Sequence, residues 1–160
     1  MARGPEQVRL QLAHWRLAVD ADGLAWLTLD RAGESTNTLS AAVLTELDAM
    51  LDALQGLSAR ALVIRSAKKG GFAAGADIRD FRGVTDADQI ETRMKEAHRV
   101  TDRLAALTIP AIAVIHGHCL GGGLERSRPS RWCKIRLRRD GQRSSGLWWQ
   151  IEGLGVFGRV

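Results

Sequence analysis

Ile109-Pro110-Ala111-Ile112-Ala113-Val114-Ile115-His116-Gly117-His118-Cys119-Leu120-Gly121-Gly122-Gly123-Leu124-Glu125 decides how the chain reads. A proline opens the stretch, a short apolar run follows, three glycines come next and a single glutamate closes it. A short apolar run bounded by turn formers reads as a buried strand. Consecutive glycines before a helix leave backbone N–H groups free, and the helix dipole favours negative charge beside them. The stretch therefore predicts a strand, a tight turn and a helix N-terminus, with the Glu125 carboxylate close to exposed N–H donors.

Strand and helix signals alternate on the N-terminal side. Trp15 to Val19, a turn at Ala21-Asp22-Gly23, and Leu24 to Leu29 read as a β-hairpin. A polar loop spans Arg31 to Thr38. Ser40 is an N-cap, Val43, Leu44, Leu47, Met50, Leu51 and Leu54 recur at helical spacing, and Gly56 ends the run. Ala61 to Ile64 is a short strand, followed by a basic glycine-containing loop, Lys68 to Phe72, and a loop of small residues, Ala73 to Ile78. Asp86 starts a helix through Leu107, with Ile90, Met94, Ala97, Val100 and Leu104 on one face, and Pro110 breaks it. This alternation predicts an α/β fold, with no internal sequence repeat.

The 160 residues fit one domain with a modest core, and 45% apolar content is ordinary for a soluble protein. No apolar run approaches the ~18 residues of a membrane span. The N-terminus lacks the apolar core of a secretory signal, and Cys119 and Cys133 form no disulfide framework, so the expected setting is reducing and cytoplasmic. The net charge of +5 is unevenly spread. Residues 1–125 carry 14 Lys/Arg against 16 Asp/Glu, whereas residues 126–160 carry 9 against 2. All 22 alanines precede Arg126. The chain thus divides into residues 1–125 and a basic tail, 126–160, expected to be irregular, with Pro129 where a helix interior would fall.

Two loops can carry chemistry. In Ala73 to Ile78 the small side chains of Ala73, Ala74, Gly75 and Ala76 let a ligand approach the backbone; a surface turn after a buried strand is the plainer alternative. Leu120 to Glu125 offers glycine N–H groups and one acid; a flexible glycine loop is the alternative there. Taken together, two N–H donors converging from neighbouring loops make an oxyanion hole, and an adjacent carboxylate can move a proton.

Gly71-Phe72-Ala73-Ala74-Gly75-Ala76-Asp77-Ile78, then Ile109-Pro110-Ala111 and His116 through Glu125, resemble the enoyl-CoA hydratase/isomerase (crotonase) superfamily. Asn37-Thr38-Leu39-Ser40 is similar to the hydratase module at the N-terminus of multifunctional fatty-acid oxidation proteins. The resemblance covers residues 14–125. It implies the N-terminal part of a crotonase-like spiral of ββα units. It also implies main-chain oxyanion donors at Ala74 and Gly122, and a CoA-lining role for Ala74, Ala76, Asp77 and Ile78. Glu125 matches one of the two catalytic glutamates that hydrate a 2-enoyl thioester. No cofactor is implied beyond coenzyme A as the substrate's carrier, and relatives trimerise or associate with a thiolase.

The likeness stops after Glu125. In place of an alanine-rich helix and a loop bearing the second glutamate stands Arg126-Ser127-Arg128-Pro129-Ser130-Arg131-Trp132-Cys133, and the only later glutamate is Glu152. Loss of the reading frame near codon 126 would account for composition, charge and periodicity changing together; divergence into a basic tail is the alternative. Truncation or frame loss implies impaired activity or an inactive remnant, and double-bond isomerisation is a further alternative. His116-x-His118-Cys119 lacks further ligands at metal-site spacing, so no metal is expected. Lys68-Lys69-Gly70-Gly71 lacks the G-x-x-x-x-G-K-[ST] pattern of a phosphate loop. The basic, Trp-containing tail contains no nucleic-acid-binding module, so nucleic acid is not an expected partner.

Overall fold

Residues 7–82 and 86–119, and the backbone of three further strands, are described by the structure, a computed structural model. The chain order begins β1 (Gln7–Gln11), β2 (Trp15–Val19), β3 (Leu24–Leu29), α1 (Ala41–Gln55), β4 (Ala61–Ser66) and β5 (Gly71–Ala73). A 3-10 turn at Ile78–Phe81, α2 (Ala87–Ala105), β6 (Ala111–His116) and β7 (His118–Cys119) follow. The last strands are β8 (Trp132–Leu137), β9 (Trp148–Ile151) and β10 (Val156–Arg159). The main sheet has the order β1-β2-β3-β4-β6-β8-β9-β10, and β5 pairs with β7 in a second, small sheet. Its centre, β3-β4-β6-β8, is parallel, and the strands on either side pair antiparallel.

One step recurs along the chain. A main-sheet strand is followed by a short extended segment off that sheet, and in the first two units then by a helix. In the first unit β3 leads to Leu39, which bridges Ala76 in parallel, and then to α1. In the second, β4 leads to β5 and α2; in the third, β6 leads to β7, which pairs in parallel with β5. This is the mixed α/β, ββα architecture expected. The repetition is one of topology, because each step is set by its own polar ties and no residue pattern need recur.

The core lies between the main sheet and the helices. Alternate residues of the strands, Leu17, Ala25, Leu27, Leu29, Leu62, Ile64, Ala111 and Ala113, face it, and α1 contributes Val43, Leu47, Met50, Leu51 and Leu54. These are five of the six positions of the predicted apolar stripe; the sixth, Leu44, is half-buried. Ser40 caps α1 by accepting from the Val43 N–H, and Gly56 ends it. Helices α1 and α2 are tied at their surface by ion pairs of Asp48 with Arg99 (2.7 Å) and Arg103, and of Asp52 with Arg103.

Several elements differ from the sequence reading. Strand β1 was not expected, although Val8, Leu10 and Leu12 alternate. Gly71–Ala73 is strand rather than loop, because its partner β7 is distant in sequence. Helix α2 is shorter than Asp86 to Leu107, and of its predicted core face only Val100 and Leu104 are buried. Ile90 and Met94 are 36% and 42% exposed, since the N-terminal half of α2 runs beyond the residues it packs on. The expectation of an irregular tail is corrected by β8, β9 and β10. Cys133, Ile135 and Leu137 alternate with Lys134 and Arg136, a period suited to a strand, and β8 continues the parallel sheet beside β6.

Truncating the buried Leu51 to alanine should lower stability by about 2–5 kcal/mol through cavity formation. Met94→Ala, on the open half of α2, should stay within about 0.5 kcal/mol. Urea unfolding followed by circular dichroism checks both.

Candidate active site

The strands leading into the two loops singled out in the sequence pair with each other in the small sheet. Strands β4 and β6 are parallel neighbours, so the segments leaving their C-terminal ends start side by side. Gly71 then pairs with His118, and Ala73 with Cys119. The crossing is too close for side chains. A Cβ at Gly71 would lie 2.7 Å from both the N and the O of His118, and a Cβ at Gly117 would collide with the Gly70 carbonyl. Gly117 also has φ +57°, in the left-handed region that favours glycine. The two imidazoles reinforce the crossing: His116 Nε2 lies 2.7 Å from the Lys68 carbonyl oxygen and His118 Nδ1 lies 3.1 Å from that of Gly70. A carbonyl only accepts, so those nitrogens carry the proton. Both rings serve the backbone, and no group of three or more His, Cys, Asp or Glu is arranged to hold a metal among the described residues.

Asn37 fixes the start of the Ala73–Ile78 loop from below. It is fully buried, and its Nδ2 donates to Ser66 Oγ (2.9 Å), the Phe72 carbonyl (3.1 Å) and the Leu29 carbonyl (3.3 Å). Its Oδ1 accepts from the Arg31 N–H at 2.9 Å. Ser66 in turn donates to the Gly71 carbonyl at 2.8 Å and accepts from the Lys68 N–H at 3.0 Å. Gly75, at φ +86°, turns the chain so that its carbonyl accepts from the Leu39 N–H at 2.8 Å.

Asp77 anchors the loop's far end. Its carboxylate is 4% exposed and takes Arg31 at 2.6 Å, Arg79 at 3.0 Å and the Arg79 backbone N–H at 3.0 Å. Arg79 also pairs with Glu34 at 2.8 Å. Hydrogen bonds from the Arg79 side chain hold the Asp77 carboxyl well below the usual carboxylate range. Burial opposes this, and the Arg79 N–H and Arg31 add to it. The Asp77 N–H donates to Leu39 and its carbonyl accepts from Asp80. The groups of Asp77 are thus committed to the fold, and its contribution to a ligand site is to hold the loop in place.

The other expected site residues are distributed as follows. Ala74 is half-buried, and its N–H donates to the Asn37 carbonyl at 2.8 Å, so this expected oxyanion donor is already engaged. Ala76 is exposed, and Ile78 is 74% exposed beside it, an apolar pair on the outer side of the loop. Gly122 and Glu125 lie outside the described residues, although the strand leading to them, β7, is paired with the strand leading to Ala74. Sequence reasoning noted Asn37 only as part of a four-residue likeness and gave Ser66 no role. A polar Asn-Thr before an N-cap carries no signal that its amide will be buried under three strand ends.

Comparison with known proteins places this architecture. A family model described as enoyl-CoA hydratase/isomerase matches residues 24–132, more than half of the chain. The chain belongs to the enoyl-CoA hydratase/isomerase family. Its sequence is 46% identical over 105 residues to a fatty acid oxidation complex subunit alpha of Shewanella baltica, covering 65% of this chain and 15% of that protein. It is 35% identical over 130 residues to the corresponding subunit of Idiomarina loihiensis, covering 81% of this chain and 18% of that one. The chain therefore spans less than one fifth of the length of these relatives. Among solved structures, an enoyl-CoA hydratase/carnithine racemase from Magnetospirillum magneticum superposes with a TM-score of 0.65 at 28% identity, over 72% of this chain and 43% of that one. An enoyl-CoA hydratase from Geobacillus kaustophilus, at 20% identity and TM-score 0.64, shares the fold.

In this family member the ion pairs of Asp77 and Asp48 link stability to pH. Both carboxyls are depressed, Asp48 first through its hydrogen bond from Arg99, so the unfolded state binds protons more readily. Their contribution is complete above the unfolded value of about 4 and is lost as pH falls through the lower folded values. Asp77→Asn should lower stability by about 1–3 kcal/mol at neutral pH and flatten the acid limb of a plot of urea midpoint against pH. Gly117→Ala should destabilise by more than about 2 kcal/mol, since backbone strain and a clash with the Gly70 carbonyl add.

Proposed function

We propose that the chain is an acyl-CoA-binding, enoyl-CoA hydratase-type segment of fatty-acid β-oxidation. The observation that carries this is the pairing of β5 with β7, which brings Ala73–Ile78 beside the strand running into Gly121–Glu125. Because the Ala74 N–H is engaged by Asn37, another main-chain donor of the Ala73–Ile78 loop, together with that of Gly122, would polarise the thioester carbonyl. Glu125 would take a proton from water as the water oxygen bonds the β-carbon of the enoyl group, and the resulting enolate would take up a proton at its α-carbon. Charge developing on the thioester oxygen is what such donors stabilise most. The exposed pair Ala76 and Ile78 would meet the adenine and pantetheine end of CoA, with Asp77 holding the loop behind them. Coenzyme A enters as the substrate's carrier, and no other cofactor takes part. Family membership and the fatty acid oxidation complex subunits among its relatives support this assignment.

No helix among the described residues is long and apolar enough to cross a membrane. The same proposal puts the activity in the cytoplasm, with self-trimerisation or association with a thiolase as the form of assembly. A second possibility, binding without turnover, is favoured by one observation. No acid stands where the family's second glutamate is expected, and composition changes abruptly after Glu125.

The test is hydration of crotonyl-CoA by the purified chain, followed as loss of enoyl absorbance. The expected result is weak turnover that Glu125→Gln lowers by about 10²–10⁴-fold, as removal of an acid–base group does. Turnover unaffected by Glu125→Gln would overturn the assignment of Glu125. Binding of crotonyl-CoA without hydration would select the second possibility.

A further inference from the structure

We propose that Arg31 is a positioning residue that registers the two site loops against each other, a role that rests on the acyl-CoA assignment above. Arg31 follows the end of β3 with its own main chain fixed on both sides. Its N–H donates to Asn37 Oδ1 at 2.9 Å, and its carbonyl accepts from Lys68 Nζ at 2.9 Å. From that base its half-buried guanidinium reaches the Asp77 carboxylate at 2.6 Å. Arg79, which also holds this carboxylate, stands two residues along the same segment and moves with it. Leu39 holds the main chain of Asp77, and Arg31 ties its side chain to the main sheet. Lys68 carries the link onward. Its Nζ also pairs with Asp30 at 2.6 Å, and its carbonyl takes the His116 ring at 2.7 Å, at the end of β6. A connected set of bonds thus runs from Asp77 through Arg31 and Lys68 to His116, from one loop to the strand that leads into the other.

The same bonds leave one N–H of the loop open. Leu39 donates to the Gly75 carbonyl at 2.8 Å and accepts from the Asp77 N–H at 3.3 Å, so the two bonds flank Ala76 in a parallel bridge. In such a bridge the N–H of the flanked residue points away from the partner strand. The Ala76 N–H has no partner among the described residues, and Ala76 is exposed whereas Gly75 is buried. Its direction follows from where the next residue, Asp77, is held. Arg31 touches no reacting atom. It acts through Asp77 on the N–H beside it, and through Lys68 on the placement of that N–H relative to the strand entering Gly121–Glu125.

The experiment uses the full chain, its Arg31→Gln variant, which removes the guanidinium, and Arg31→Lys, which keeps the charge on a shorter donor. Amide hydrogen exchange by NMR reads the tie. Asp77 should be protected in the unmodified chain and exchange about tenfold or more faster in Arg31→Gln, with the amides of Leu62 to Ile64 little changed. Hexadienoyl-CoA, a conjugated thioester whose absorbance moves to longer wavelength when its carbonyl is polarised, reads the consequence. The unmodified chain should shift it. At saturation Arg31→Gln should lose about half of the shift or more, while Kd rises less than about tenfold. A merely structural role would lower stability and leave the shift of the bound thioester as it is. Arg31→Lys should lie between the two in both readouts, and carries the test if Arg31→Gln does not fold. Unchanged Asp77 exchange, or an unchanged shift at saturation, in the folded variants overturns the proposal and leaves the acyl-CoA assignment standing. Failure of the unmodified chain to bind or shift hexadienoyl-CoA overturns that assignment and Arg31's role with it.

Discussion

The site depends on one buried primary amide. Asn37 lies beneath the C-terminal ends of β3 and β4 and the start of the loop after β5, where carbonyls of Leu29 and Phe72 and the hydroxyl of Ser66 converge. Buried carbonyls without donors are costly, and extended main chain at a strand end has lost its ladder partners. A single amide satisfies several of them because it brings two hydrogens and a carbonyl to one point. No buried side-chain nitrogen or oxygen is left without a hydrogen-bond partner among the described residues. The geometry of the loop is therefore over-determined from below, while its outer side, Ala76 and Ile78, remains open.

A second constraint, steric rather than polar, acts at the crossing of β5 and β7. Glycines at 71 and 117 let two backbones approach where a Cβ would intervene. This crossing and the Asn37 ties act on opposite ends of the same segment. One fixes where the segment begins relative to β7; the other fixes the direction of the N–H groups that follow. Charge completes the arrangement through Asp77, whose carboxylate draws Arg31 and Arg79 onto the loop from both sides. The result is a rigid turn with small residues outward, the arrangement that close approach of a ligand to main-chain donors requires.

Elsewhere the molecule is less closed. The N-terminal half of α2 leaves Ile90 and Met94 exposed, and Ile78 is exposed as well. Val100 and Leu104 are buried in the other half, whose Arg99 and Arg103 pair with α1. The sheet, by contrast, continues beyond β6 into β8, β9 and β10.

Much of the architecture was legible in the sequence. The hairpin, α1 with its Ser40 cap and Gly56 stop, and the parallel strands β4 and β6 follow from local periodicity, capping and turn chemistry. The motif residues pointed to Ala73–Ile78 and to the segment that β7 enters, and the strands leading into both are paired. Missed were β1, β5 and the strands of the tail, each of which requires a partner remote in sequence before a short or weakly patterned stretch counts as a strand. Helix periodicity placed Ile90 and Met94 on an apolar face correctly but could not say what, if anything, lies against it. The sequence by itself determined the order of elements and the chemistry available at Ala73–Ile78 and Gly121–Glu125, since these rest on residue type and local spacing. Only the tertiary structure decided that the Ala74 N–H is held by Asn37, that Asp77 serves as an anchor, and that β7 lies against β5. Those outcomes are set by distances between residues far apart along the chain, and local sequence carries no measure of such distances.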